Sequence, residues 1–151
     1  LYQYNVSFLP LYADGSRWRA GGKLEYSYRD ILRILVDASY GKWNLDGGLV
    51  ASMQPDLILK AEVGVHPIAP LDVRLRYTQL NGRYRYSFGS AGSEALGIGN
   101  VHLLSADVSY KLKKNLSLYL KIDNMLAETT ELIGYYPMQP FHCFAGFSWT
   151  F

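Results

Sequence analysis

A single cysteine, Cys143, stands in 151 residues, so no internal disulfide framework holds this chain together. Charge of one sign is scarce as well. Fifteen Lys and Arg against 13 Asp and Glu leave a net charge of +2, which points to neither nucleic acid nor an acidic surface as partner. No apolar run approaches the roughly 20 residues of a membrane-spanning helix. The best stretch, 31–36, is interrupted by Arg33. A helical membrane protein is thereby excluded, but a β-barrel is not, because its strands alternate and escape a hydropathy scan. The sequence also lacks a signal peptide and an initial Met, which leads us to expect a processed protein or an excerpt of a longer one. Its length is that of one domain.

What the chain has in plenty is aromatic residues, 15% of the total with 13 Tyr, an enrichment that favours strands. Eight segments alternate with period two. In 2–11, Tyr2, Tyr4, Val6 and Phe8 alternate with Gln3, Asn5 and Ser7. In 17–28, Trp18, Ala20, Leu24, Tyr26 and Tyr28 oppose Arg17, Arg19, Lys23, Glu25 and Ser27. Segment 32–40 sets Ile34, Val36 and Tyr40 against Arg33, Asp37 and Ser39, and 57–66 sets Leu59, Ala61 and Val63 against Lys60 and Glu62. Segment 71–78 sets Val73, Leu75 and Tyr77 against Arg74 and Arg76. In 104–112, Ala106, Val108 and Tyr110 alternate with Asp107 and Ser109; in 116–123, Leu118 and Leu120 alternate with Tyr119 and Lys121. The eighth segment, 141–151, places Phe141, Cys143, Ala145, Phe147, Trp149 and Phe151 on one face. Each is near the length that a tilted strand needs to cross a bilayer.

The connections alternate in length. Those after the second, fourth and sixth segments are short (29–30, 67–70, 113–114), and those after the third, fifth and seventh are long (43–55, 82–100, 124–140). Bacterial outer-membrane barrels have short periplasmic turns and longer outer loops. With the first segment running outward, Tyr2, Tyr26, Tyr28, Tyr110, Trp149 and Phe151 fall at the periplasmic level, and Trp18, Tyr40, Tyr77 and Phe141 near the outer level. Two aromatic girdles around an aliphatic band are the expected exterior of a barrel, since amphipathic rings prefer the interface. Aligning like faces across the short turns puts Lys23 opposite Asp37, Glu62 opposite Arg76 and Asp107 opposite Lys121. These are the expected ion pairs of the lumen. The predicted fold is therefore all-β, an antiparallel transmembrane β-barrel with eight strands present. It makes residues 1–151 either a single barrel domain or the C-terminal eight strands of a larger barrel. A soluble eight-stranded barrel or sandwich would alternate in the same way with its apolar face inward. It would then have to crowd the periplasmic-level aromatics into its core, and it gives no reason for an aromatic as the last residue.

The stretch 115–151 carries a resemblance. "NLSLYLKIDNML", a loop containing "YYP", then "FHCFAGFSWTF" resembles the last two strands of TonB-dependent receptors, with a looser likeness of Bacteroidetes style reaching upstream to about Pro55. The likeness departs from the pattern at Gln139-Pro140, where Gly-Arg is frequent, and at Ala127-Glu128, where Asp-Lys often follows the Asn-Leu element. It implies the C-terminal part of a receptor-like barrel of the outer membrane that imports a nutrient or chelate. The family's plug domain, and its contact with an energy-coupling protein, would lie N-terminal to this stretch. It also implies that Phe147, Trp149 and Phe151 form the address read by the barrel-assembly machinery, through pairing with an existing sheet edge. Outer-membrane lipid and lipopolysaccharide are the remaining expected partners, and no cofactor is called for.

Candidate chemistry is sparse. His102 and His142 both fall near the outer rim, but parity points them to opposite faces, so interface histidines are expected rather than a shared metal site. No Ser-His-Asp spacing suggests nucleophilic catalysis, and an enzyme is not expected. Arg83, Tyr84 and Arg85 open the longest loop. They read either as outer-loop ligand contacts gripping an anion or as the protruding end of a strand. Cys143 faces lipid by parity and reads as an inert thiol. Two functions stay open: a section of a receptor-like importer, or a self-contained eight-stranded outer-membrane protein with a structural, adhesive or surface-binding role.

Overall fold

The computed structural model describes residues 2–4, 10–89, 92–133 and 136–151, with side chains over 13–86, 94–132 and 136–151. Thirteen strands are present in it, and the only helical turn among the described residues is a short 3-10 turn at Asp46–Gly48. Strands β1 (Tyr2–Tyr4) and β2 (Pro10–Tyr12) pair with each other. The main sheet is built from β3 (Gly15–Tyr28), β4 (Leu32–Leu45), β5 (Leu57–Ile68) and β6 (Leu71–Asn81), then, after a paired excursion of β7 (Arg83–Gly89) and β8 (Gly92–Ile98), from β9 (Val101–Lys113) and β10 (Leu116–Asp123). A second excursion pairs β11 (Glu131–Ile133) with β12 (Tyr136–Pro137) before the last strand, β13 (His142–Trp149).

The sheet has seven strands in the order β13-β10-β9-β6-β5-β4-β3, every pairing antiparallel. Each strand thus lies beside its neighbour in sequence, apart from the two excursions, as expected where short turns leave a strand no other place to pair. The turn at Arg29–Ile31 closes with Ile31 N–H donating to the Tyr28 carbonyl at 3.2 Å, Arg29 taking a positive φ of 49°. Neighbouring short turns are stitched together, with His66 N–H donating to the Ile31 carbonyl (2.7 Å) and Lys111 N–H to the Pro70 carbonyl (2.8 Å).

Two expectations are corrected here. The first segment, 2–11, is not a strand of the main sheet: Tyr2 pairs with Tyr12 and Gln3 with Leu11. Pro10, which cannot donate to a ladder, begins β2 instead of continuing a strand through it. Val6 and Phe8 lie outside the described residues, as do the side chains of Tyr2 and Tyr4. Among the described residues the main sheet therefore has seven strands, not eight. The sheet is also not closed among the described residues, since β3 and β13 have no partner on their outer edges.

The hydrophobic core is small. Only Leu45, Ala51, Val101, Ala106 and Met138 are buried apolar side chains among the described residues, and four of these sit at the long-loop end of the sheet or above it. Leu24, Leu75, Leu118, Phe147 and Trp149 remain 40–69% exposed. Among the described residues no second layer covers them.

Candidate functional site

The register sorts the side chains by face. Across the middle of the sheet, Leu24 pairs with Val36, Val36 with Ala61, Ala61 with Tyr77 and Tyr77 with Leu104. One row nearer the short turns, Tyr26, Ile34, Val63, Leu75, Ala106 and Ile122 follow one another, and Cys143 opposite Ile122 ends the row. Together these rows form one apolar face across the sheet. Aromatics mark its two ends. Near the long loops, the Trp18 and Tyr40 rings meet edge to face at 5.5 Å, and the Tyr77 hydroxyl lies 2.7 Å from His102 Nδ1. Phe141 stands half exposed just before β13. Near the short turns lie Tyr26, Tyr28 and Tyr110, together with Trp149 and Phe151, whose rings meet edge to face at 6.5 Å.

The opposite face carries the charge. Lys23 stands opposite Asp37, and Asp37 opposite Lys60, so the signs alternate along that row. Glu62 stands opposite Arg76 and Asp107 opposite Lys121. The ion contacts run diagonally across a pair or along one strand instead. Arg76 Nη2 meets Asp107 Oδ2, Arg74 Nε lies 3.7 Å from Glu62, and Lys121 Nζ lies 3.3 Å from Asp123. Long side chains on a twisted sheet reach the i±2 neighbour as readily as the residue directly across. Arg33 and Glu25 close a further pair at 2.8 Å. Beside these charges, the Tyr119 ring lies over Gly146, its cross-strand partner, and a Cβ at residue 146 would collide with that ring.

At the long-loop end of this polar face the sheet and the last long loop line an open cavity of about 520 Å³. Leu103, Lys121, Asp123, His142 and Phe144 come from the sheet, and Met138 from the loop. Asp123 carries the polar end, 3.3 Å from both Lys121 Nζ and His142 Nε2. The loop is organised by Asn124, only 3% exposed and at φ 51°. Its amide nitrogen donates to the carbonyls of Glu128 and Gln139, both at 2.9 Å, and its oxygen accepts the Glu128 N–H at 3.0 Å. One side chain thus pins both ends of the loop, and asparagine tolerates the left-handed backbone this needs.

Arg83 is the second organiser. It is 2% exposed, and Nη1 donates to the Leu132 carbonyl (3.1 Å) and Nη2 to the Gly99 carbonyl (2.9 Å). Burial pushes its guanidinium below its ordinary value, with the Glu131 carboxylate opposing. Two residues on, Arg85 Nε lies 3.4 Å from Glu131 Oε2. The Arg-Tyr-Arg run is therefore not a set of three exposed ligand contacts. Arg83 and Arg85 tie β7 to β11, and Tyr84 alone is more than a third exposed. Alternation explains this, because residues 83 and 85 share a face of β7 and residue 84 takes the other.

The structure gathers Lys121 into the cavity wall and keeps Lys23, Asp37, Glu62, Arg76 and Asp107 in cross-strand rows on the same face. Phe147, Trp149 and Phe151 stand exposed at the short-turn end, away from it. Asn124, Met138 and Phe144 are the site residues that alternation did not single out. The "DNML" element contained the one available signal for Asn124. Among the described residues no group of His, Cys, Asp and Glu could hold a metal ion.

No protein-family model matches the chain, and no curated protein matches it. Among solved structures it is similar to the ferripyoverdine receptor of the outer membrane of Pseudomonas aeruginosa, solved with ferripyoverdine bound. The TM-score is 0.72 at 14% sequence identity, over 88% of this chain. The match covers 19% of the receptor, so the chain spans about a fifth of that protein's length. At that identity the likeness is one of fold: an all-β antiparallel sheet like a section of a receptor barrel.

Proposed function

We propose that this chain is a section of the barrel wall of a TonB-dependent-receptor-like transporter in the bacterial outer membrane, importing a nutrient or chelate. The observation that carries the reading is strand direction. Six antiparallel steps separate β3 from β13, so both run from the long loops to the short turns. Joining their free edges directly would make a parallel seam, whereas bacterial outer-membrane barrels are antiparallel throughout with an even number of strands. In a bilayer, unpaired backbone groups on two long edges would each cost several kcal/mol. On this reading an odd number of further strands lies between β13 and β3, as in large barrels of about 22 strands, whose lumen holds a plug.

On this reading the apolar face meets lipid, the aromatic rows sit at the two interfaces, and the charged face lines the lumen. The cavity under Asn124 then opens toward the outside. The plug, the energy-coupling protein and the barrel-assembly machinery are the partners, and the section itself does no catalysis. A self-contained small barrel finds less support, because the seven main-sheet strands among the described residues do not close antiparallel on one another. The test is to refold residues 1–151 alone in detergent. A section of a larger wall gives no monomeric species that resists unfolding in detergent until heated. A monomeric, heat-modifiable barrel would overturn the proposal.

A further inference from the structure

The cavity under Asn124 holds about 520 Å³ against about 180 Å³ for the one beside Trp43 at the end of β4, and only the first lies within the range of small-molecule sites, roughly 300–1,000 Å³. Its lining interrupts the charged face. Phe144 stands directly across the ladder from Lys121 and is 57% exposed, and Leu132 of β11 is 43% exposed. With Leu103 and Met138 they give the cavity an apolar lining on a face that otherwise carries charge. Apolar side chains left bare in such a place favour an apolar occupant. The polar groups have a sign of their own. The Asp123 carboxylate is already met by Lys121 Nζ and His142 Nε2, both at 3.3 Å. Asp107, opposite Lys121 on β9, is held by Arg76, and Glu131 lies against Arg85. The Lys121 ammonium has N–H donors beyond the one it turns to Asp123, and its side chain is half exposed, so a ligand can reach them. His142 Nδ1 lies 3.1 Å from the Pro140 carbonyl, which only accepts, so both ring nitrogens face acceptors and a protonated ring satisfies both. Two cationic side chains then share one carboxylate.

We propose that this cavity takes an organic carboxylate with an apolar body, its carboxylate on Lys121 and its body against Phe144, Leu132 and Met138. The proposal rests on the reading of this face as the lumen wall of a transporter and names the class of molecule that wall receives. A bond from an ammonium to a carboxylate is about twice as strong as one between neutral groups. An uncharged analogue forgoes that gain, and a small carboxylate has no body to cover Phe144. An organic cation would meet Lys121 and find Asp123 already engaged. The lining is also held in place before any ligand arrives. The His142 and Phe144 rings meet edge to face at 5.3 Å, and Asn124 pins the loop that carries Met138, so little ordering remains for binding to impose.

Titration calorimetry of the intact protein that carries this chain, extracted in detergent and blanked against protein-free micelles, tests the proposal with 2-naphthylacetate, 2-naphthylacetamide and acetate. Saturable binding of naphthylacetate is expected, with the amide about tenfold weaker and acetate not binding. Lys121→Met should bring acid and amide within about twofold of each other, whereas Phe144→Ala should weaken both severalfold and leave their ratio unchanged. If Lys121→Met does not fold, the ratio of acid to amide in the parent protein decides alone. Equal affinity for acid and amide, an unchanged ratio in Lys121→Met, or no saturable binding of naphthylacetate, as when the plug already fills the cavity, would each overturn it. Uptake by cells is a separate readout: binding without energy-dependent uptake strikes the transporter reading and leaves the site, and uptake without binding at Lys121 does the reverse.

Discussion

Arg83 Nη1 donates to the Leu132 carbonyl at 3.1 Å, joining residues 49 apart in the sequence. The bond makes one body of the β7–β8 excursion and the loop that roofs the larger cavity. The Nη2 bond to Gly99 closes the base of the excursion. Replacing Arg83 by Ala leaves two carbonyls without their donor, and we expect a loss of about 2–4 kcal/mol of local stability. Limited proteolysis should then cut within 124–141 well before the sheet, while R83K, with one compact ammonium, recovers part of the protection.

Asn124 supplies both a backbone conformation and three hydrogen bonds. Asn124→Gly preserves the first and removes the second; Asn124→Ala removes both. Hydrogen exchange at Glu128 N–H and the neighbouring amides should rise in both variants, more in the alanine one, with a difference of about 1 kcal/mol. Asn124→Asp retains the acceptor and loses the two donated bonds, so its loop should open nearly as far as in Asn124→Gly.

The Tyr119 ring fills the space above Gly146. Gly146→Val forces the ring away and should destabilise the fold by about 1–3 kcal/mol of overpacking. Adding Tyr119→Ala to Gly146→Val should restore part of that loss. A double-mutant cycle in which the two changes simply add would show that the ring and the glycine do not interact.

Leu75 stands 40% exposed in the middle of the apolar face. If that face meets lipid, Leu75→Arg should destabilise the membrane-embedded protein by about 2–4 kcal/mol, whereas Thr78→Arg on the charged face should cost far less. Equal effects in an unfolding titration from bilayers would count against the assignment of faces.

Phe151 follows the last strand and its ring touches Trp149 at 6.5 Å. Deleting it should slow insertion into the outer membrane several-fold in cells while leaving the β10–β13 ladder intact. Heat-modifiable protein at parental levels after the deletion would remove the role of the terminal aromatics as an assembly signal.

Much of the sheet was legible because three of its connections are short. A two- or three-residue turn fixes the register, and period-two alternation then fixes the faces, so Lys23 opposite Asp37 and Glu62 opposite Arg76 follow from the sequence. Segment 2–11 misled because its alternation is genuine, yet alternation does not say which strand a segment pairs with. The ion contacts were only half legible: the sequence placed each charge opposite the right residue, but Arg76 reaches Asp107 on the strand to its other side.

The sequence by itself determined the strands of the sheet, its two chemically opposed faces and the aromatic rows at its ends. Each of these follows from local periodicity and from chain ends kept close by short turns. Only the tertiary structure decided that Arg83 is an internal brace, that Asn124 holds the last long loop over a cavity, and that Trp43, with Arg17 over its ring, has a buried Nε1 with no hydrogen-bond partner among the described residues. Those outcomes depend on how long loops, 46–56, 82–100 and 124–141, pack on one another. Nothing in a period of two residues specifies that packing, because loop backbones are satisfied by whichever distant donors and acceptors the fold brings within reach.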